Sequence, residues 1–245
     1  MMLKLFSKKN KKKQKESYSM NYGVSLLAHD DPTNVISEQF NTIRTNIQFS
    51  SVDTKLHSIL FTSAAPSEGK STVSANLAVS WAKQDEKVIL IDADLRKPTI
   101  HKTFNQSNQS GLSNYLLGSA NLDEIVKETK VPNLYVITSG PIPPNPSEIL
   151  ASKRIGNLME ELQNRFDLLM FDAPPVNSVT DAQVLATKID GTILVTPQGV
   201  AEKHSVAHAK KLLDTVHANI LGAIVNQAEI DKSSNYYGGY YGIEQ

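Results

Sequence analysis

Between residues 58 and 226, six short runs that are apolar along almost their whole length alternate with helical stretches: SILFTS, KVILID, NLYVITS, DLLMFD, TILVT and ILGAIVN. A strand that is apolar on both faces must be covered on both, which a parallel sheet with crossover helices achieves. The connecting segments SEGKSTVSANLAVSWAKQ, PSEILASKRIGNLMEELQNRF, SVTDAQVLATKI and AEKHSVAHAKKLLDTV carry helical periodicity. The expected class is therefore α/β, a mostly parallel sheet with helices on both faces. Residues 98–130 are less regular, with short helical pieces around GLSNYLLG and NLDEIVKE, and no internal repeat is present.

A length of 245 residues with 40% apolar composition suits one such domain with two tails. The absence of cysteine excludes disulfide frameworks, thiolate zinc sites and cysteine nucleophiles, and fits a reducing cytoplasm. No apolar run reaches the roughly 18 to 20 residues that span a bilayer, and the N-terminus turns basic before a signal-peptide core could form. The chain is expected neither to cross a membrane nor to be secreted by the usual route. Seven lysines fall in residues 1–15 with no acid, so the rest of this net-neutral chain carries −7. Residues 1–31 read as a basic, disordered arm, either merely solvated or lying on an anionic surface. Lipid is preferred over nucleic acid, because the body is acidic. The main domain is expected over 32–228. It opens on an amphipathic helix carrying Ile36, Phe40, Ile43 and Ile47, with Thr33 or Asn34 as N-cap. Residues 229–245 form a glycine- and serine-spaced tail that holds four of the chain's eight tyrosines, Tyr236, Tyr237, Tyr240 and Tyr241, where no core exists to bury them.

The stretch SAAPSEGKST (63–72) follows an expected strand and opens an expected helix, the context of a phosphate-binding loop and of the P-loop NTPase fold. Pro66, Ser67, Glu68, Gly69, Lys70, Ser71 and Thr72 form its nucleotide-facing part. Gly69 lets the backbone approach the phosphates, Lys70 brings a charge to the β- and γ-phosphates, and the Ser71 hydroxyl suits Mg²⁺. The first glycine of the usual pattern is replaced by Ala64. In KVILIDADLRKP, Asp92 and Asp94 at a strand's carboxyl end are expected on one face, where two carboxylates need a bound cation or a neighbour such as Arg96. Asp172 ends DLLMFD as the acid that would hold Mg²⁺ through water. Ligands of open parallel sheets bind outside the carboxyl ends of the strands, so all three acids are expected to converge on Lys70. Asn226, ending the last run, is read as meeting an adenine edge. No N-K-x-D signature follows it, so ATP is favoured over GTP. His204 and His208 stand one helical turn apart without a third ligand nearby, and Trp81 is read as core. SGPIPPNP is a stiff loop, with peptide binding as a minor alternative, leading into a helix capped by Ser147.

As an ordered set from about Ile36 to Gln245, these motifs resemble the bacterial tyrosine kinases of capsular and exopolysaccharide synthesis, in the separate-chain form of Gram-positive bacteria. The set comprises a helix like E-x-x-R-x-x-R, SAAPSEGKST, ILIDADLRKP, GLSNYLLG, SGPIPPNPSEIL, LLMFDAPP and a tyrosine-rich C-terminus. The resemblance implies ATP and Mg²⁺ as cofactors. Lys70, Asp92, Asp94 and Asp172 would be the catalytic residues, with Asp92 as the base that orients a tyrosine hydroxyl, and Ser71, Asp94 and Asp172 would be placed at the metal. It further implies that subunits assemble as a homo-oligomeric ring through a helix matched here by Glu38, Asn41 and Arg44, with asparagine in place of the first arginine. Within the ring, subunits phosphorylate one another's tails at Tyr236, Tyr237, Tyr240 and Tyr241, which loosens the ring as charge accumulates. A membrane-anchored activator of the polysaccharide co-polymerase type and an opposing tyrosine phosphatase are the implied partners, and the location is cytoplasmic, peripheral at the inner face of the membrane. Two other readings remain: a partitioning or positioning ATPase, which carries a signature lysine where Ala65 stands here, and an ATP-binding scaffold without turnover.

Overall fold

The computed structural model describes residues 18–50 and 55–228. The lysine-rich residues 1–15 and the four tail tyrosines lie outside these described residues.

Seven strands form one sheet: β1 (Ser58–Ser63), β2 (Val88–Asp92), β3 (Val126–Glu128), β4 (Leu134–Ile137), β5 (Leu168–Asp172), β6 (Gly191–Pro197) and β7 (Ile220–Asn226). Their spatial order is β3-β4-β2-β5-β1-β6-β7, and every pair is parallel except β3 with β4. The six apolar runs are thus the six parallel strands. Side chains alternate between the faces of a strand, and this alternation sorts the runs into two cores. Ile59, Phe61, Val88, Leu90, Leu168 and Met170 enter one, and Leu60, Ile89, Ile91, Leu169 and Phe171 enter the other.

The first core is roofed by α1 (Leu27–Asp30), α2 (Val35–Phe49) and α3 (Lys70–Ala82), with α4 (Ile100–Thr103) at its edge. Every residue of α3 from Val73 to Ala82 is buried, because the sheet covers one side and α1 and α2 the other. Trp81 belongs to this core, as the sequence suggested. The second core is covered by α5 (Leu112–Leu117), α6 (Leu122–Ile125), α7 (Pro146–Ala151), α8 (Lys153–Gln163), α9 (Asp181–Ala186) and α10 (Lys203–Thr215). The two-faced α/β architecture is as expected.

Several local expectations differ from what is observed. Residues 18–31, read as part of a disordered arm, include described residues that pack on the domain. Ala28 is buried, its N–H donates to Asn76 Oδ1 at 2.9 Å, and Asn76 Nδ2 donates to the Ser25 carbonyl at 2.9 Å. Asn34, not Thr33, caps α2, accepting from Ile36 N at 2.9 Å. Phe40 and Ile47 are buried on this helix, but Ile36 is exposed. The helix expected near NLDEIVKE stops at Ile125, and Val126–Glu128 turn into the antiparallel edge strand. Lys127 Nζ holds that strand by donating to the Ser110 carbonyl at 2.9 Å and Thr138 Oγ1 at 2.8 Å. The long helix expected from Pro146 is broken at Ser152, whose backbone is extended. Ser147 is not its cap: Asn145 occupies the N-cap position and Pro146 the first turn.

Leu90 is wholly buried in β2, an interior strand of the sheet. Leu90→Ala is expected to cost about 2–5 kcal/mol of folding stability, read as a lower urea midpoint with an unchanged slope.

Candidate active site

The loop between β1 and α3 is shaped by two residues in the left-handed region, Ser67 (φ 64°) and Gly69 (φ 94°). The positive φ of Gly69 is one that residues with a Cβ rarely adopt, and a Cβ there would stand 1.9 Å from Asn226 Nδ2 and push that side chain aside. Glu68 is 3% exposed and turns its carboxylate back into the loop, where Oε2 accepts from Ala64 N at 2.9 Å and Ala65 N at 3.0 Å. The glutamate therefore braces the loop from within, at the point where the usual first glycine is missing. Asn226 Nδ2 donates to the Glu68 carbonyl at 3.1 Å, tying the end of β7 to the same loop.

Lys70 and Ser71 open α3. Lys70 Nζ lies 3.1 Å from Asp94 Oδ2, 3.4 Å from Asp172 Oδ2 and 3.2 Å from Ser71 Oγ, while Ser71 Oγ donates to Asp172 Oδ2 at 2.6 Å. The parallel register pairs Asp92 with Asp172 across β2 and β5, so two fully buried carboxylates end neighbouring strands. Burial pushes both Asp92 and Asp172 above the ordinary carboxylate pKa, and Asp92 further through the negative charges of Asp172 and Asp94. Burial by itself would lower Lys70, but the combined pull of Asp172, Asp94 and Asp92 outweighs it and raises the ammonium above its usual range. Asp92 Oδ2 accepts from Thr99 N at 3.1 Å and Ile100 N at 3.0 Å. Asp92 Oδ1 and Asp172 Oδ1 are buried with no partner.

A cleft of about 900 Å³ lies over this cluster, bordered by Pro66, Ser67, Gly69, Lys70, Ser71, Thr72 and Asn226. All the loop residues expected at a nucleotide border it except Glu68. Of the three acids, Asp94 borders it, while Asp92 and Asp172 lie beneath its floor. Strand β2 ends at Asp92, so Asp94 reaches Lys70 from the following loop and not as a second residue of the same strand face. Arg96 is not the cation that neutralises the pair. Its Nε and Nη2 are held by Asp181 at 3.0 and 3.1 Å, and Ser147 Oγ donates to the same carboxylate at 2.5 Å. Sequence reasoning missed Asp181, because an acid in the first turn of a helix resembles an ordinary dipole complement. Among the described residues no group of three or more acidic or histidine side chains converges as a metal cage.

Of the three residues assigned to assembly, Glu38 is exposed but the other two face inward. Arg44 Nη1 donates to the Ser80 carbonyl at 2.7 Å, and Ser80 Oγ donates to Asn41 Oδ1 at 2.8 Å, joining α2 to α3.

The chain matches the AAA domain family over residues 57–221. It is 47% identical to the tyrosine-protein kinase YwqD of Bacillus subtilis (strain 168) across 90% of this chain and 92% of that protein. The chain belongs to the bacterial tyrosine-protein kinases. Among solved structures, the chimerical protein CapA2B2 superposes with a TM-score of 0.81 at 37% identity, covering 88% of this chain and all of the other. The septum site-determining protein MinD of Pyrococcus horikoshii OT3, complexed with Mg-ADP, shares the fold at a TM-score of 0.60 and 22% identity, covering 71% of this chain and 72% of that one. In this kinase, then, the loop from Pro66 to Thr72 leads from β1 into α3 of a P-loop NTPase-like fold, and the buried acids stand at the carboxyl ends of two of its strands. Among the described residues no helix is long and apolar enough to cross a membrane.

Two outcomes follow from this geometry. Gly69→Ala places a side chain on Asn226 in a backbone region costing about 1–3 kcal/mol, and is expected to lower nucleotide affinity about tenfold or more in a fluorescent-nucleotide titration. Because the pKa of Asp92 is raised by folding, the folded state holds more protons than the unfolded one. This contribution favours folding at low pH and is lost as the pH rises through the raised value. Asp92→Asn is therefore expected to raise the urea midpoint of the nucleotide-free protein at pH 7, with the gain shrinking as the pH falls toward about 4.

Proposed function

We propose that the chain is an ATP-dependent protein-tyrosine autokinase that phosphorylates its own tail at Tyr236, Tyr237, Tyr240 and Tyr241, and that it regulates capsular or exopolysaccharide synthesis. The observation carrying this reading is the Lys70 ammonium held between Asp94 and Asp172 with the Ser71 hydroxyl beside it, at the floor of a cleft of nucleotide size. The unpartnered oxygen of Asp172, buried next to this cation, suits the metal that would accompany a polyphosphate. Ser71, Asp94 and Asp172 would hold Mg²⁺, and Asn226 would meet the adenine. Bound ATP supplies the transferable phosphoryl group, and Mg²⁺ supplies positive charge to its oxygens.

Phosphoryl transfer needs positioning and charge neutralisation more than covalent help, and this chain's residues provide both. Lys70 neutralises phosphate charge from a fixed position, because two carboxylates hold it. The Gly69 backbone lets the phosphates approach the amides at the start of α3. Asp92, beneath the cleft floor with one oxygen unpartnered, is the carboxylate assigned to take the phenolic proton. Glycines at 238, 239 and 242 give the tail the reach to enter a neighbouring subunit's cleft. The neighbour is another copy of the chain in a ring formed through the helix bearing Glu38, Asn41 and Arg44. Asn41 and Arg44 are already engaged with Ser80, so that ring leans on Glu38 and on the remaining donors of Arg44. A membrane-anchored activator brings the kinase to the inner face of the cell membrane, where the lysine-rich arm adds attraction to anionic lipid. A tyrosine phosphatase reverses the modification.

The test is incubation with ATP and Mg²⁺, with and without the cytoplasmic tail peptide of the membrane partner, with phosphotyrosine read by peptide mass spectrometry. Wild type is expected to carry phosphate on the tail tyrosines, and Lys70→Met to carry none. Asp92→Asn should slow the transfer by about 10²-fold or more. Release of phosphate into solution with every tail tyrosine unmodified would instead indicate a positioning-type ATPase.

A further inference from the structure

We infer that Tyr18 is a second phosphoacceptor, modified by the active site of its own chain; this rests on the kinase reading above. Tyr18 borders the same cleft as Lys70 and Asp94 and is 63% exposed. It stands at the start of a helical turn over 18–22, and the far end of that turn is fixed to the domain. Gly23 (φ 77°) closes the turn, with its N–H donating to the Ser19 carbonyl at 2.9 Å. A Cβ at Gly23 would lie 2.4 Å from Thr103 N, so only glycine lets the chain lie this close to α4. The next residue adds a hydrogen bond, Val24 N to Thr103 Oγ1 at 3.1 Å.

Helix α4 is the element whose first amides, of Thr99 and Ile100, hold Asp92. One four-residue helix thus grips a buried acid of the site at its start and the segment bearing Tyr18 at its end. Such a tether keeps the phenol at a high effective concentration in the cleft that the 66–72 loop borders, and makes the reaction unimolecular. Tyr22 packs against Tyr18 with ring centroids 5.0 Å apart and planes tilted by 43°, and does not itself border the cleft, so it steadies the acceptor and is not one. The Tyr18 oxygen forms the new bond to the γ-phosphorus of a nucleoside triphosphate, and the bond from that phosphorus to the bridging oxygen breaks. The diphosphate departs with the electron pair, and the phenolic proton goes to the carboxylate that serves the tail. The product places a dianion in the cleft that Asp94 borders, and repulsion from that carboxylate favours withdrawal of the turn.

The test uses the full chain with Tyr236, Tyr237, Tyr240 and Tyr241 all replaced by phenylalanine, alongside wild type, under the conditions given above. Phosphate is expected on Tyr18 in both, with a rate per molecule unchanged by about 100-fold dilution. A Lys70→Met chain mixed with active wild type should gain phosphate on its tail but not on Tyr18, and Tyr18→Phe should remove only the Tyr18 phosphopeptide from the map. Tail phosphorylation with Tyr18 unmodified overturns this inference and leaves the kinase reading intact. Phosphate on Tyr18 of the Lys70→Met chain overturns its intramolecular origin. No phosphotyrosine anywhere overturns both readings. Unmodified Tyr18 with tenfold weaker nucleotide binding by Tyr18→Ala assigns the ring to the nucleotide pocket and overturns the inference as well.

Discussion

Two buried aspartates side by side at the ends of neighbouring parallel strands are the constraint around which this domain is arranged. Asp92 and Asp172 are in register and inaccessible to water, and carboxylates so placed repel each other and resist ionisation. Their compensation comes from outside their own strands. Lys70 arrives from the loop after β1, and the amides of Thr99 and Ile100 arrive from the start of α4. The sheet order makes this possible, because β5 stands between β1 and β2. A lysine following β1 then lies over the acid that ends β5 and still reaches Asp94 beyond β2. In an open parallel sheet this is the carboxyl edge, where helix N-termini and strand ends meet and where ligands bind.

The same arrangement sets stability against function. Raised carboxylate pKa values mean that ionising the cluster at neutral pH disfavours folding, and unpartnered oxygens on both acids add a desolvation cost. Glu68 shows a related economy. Its carboxylate satisfies two amides at the end of β1, so the loop keeps its shape although alanine stands at the place of the first glycine. The left-handed backbones of Ser67 and Gly69 complete that shape.

On the opposite side of α3 from the sheet, α2 is joined to α3 by side-chain hydrogen bonds. Asn41 and Arg44 bind Ser80 on the phosphate-loop helix and leave Glu38 outward. A perturbation of α2 is therefore felt by the helix that carries Lys70 and Ser71. The N-terminal segment acts in the same way on the other acid: Gly23 and Val24 lean on α4, and α4 holds Asp92. Both elements that precede the sheet in sequence thus bear on the chemistry at its edge.

Most of the architecture was legible in the linear chain. Continuous apolar runs required a sheet covered on both faces, and SEGKST between a strand and a helix pointed to a P-loop NTPase-like fold, both through local periodicity and spacing. The chemical identities of Lys70, Ser71, Asp92, Asp94 and Asp172 could also be named from their neighbours in sequence. Pairing was not legible in this way. Arg96 looked like the partner of Asp92 and Asp94 because it is near them in sequence, but it belongs to Asp181, 85 residues away, and Lys70 serves the acids instead. Glu68 looked like a loop residue facing the ligand, and Ser147 like a helix cap, until packing turned the first inward and gave the second a carboxylate partner. Sequence by itself determined which segments fold, and which residue types can bind a phosphate, because these depend on period and spacing along one chain. Only the tertiary structure decided which charge neutralises which, and which acids face the cleft. Those choices depend on strand order and burial, and neither is a local property of the sequence.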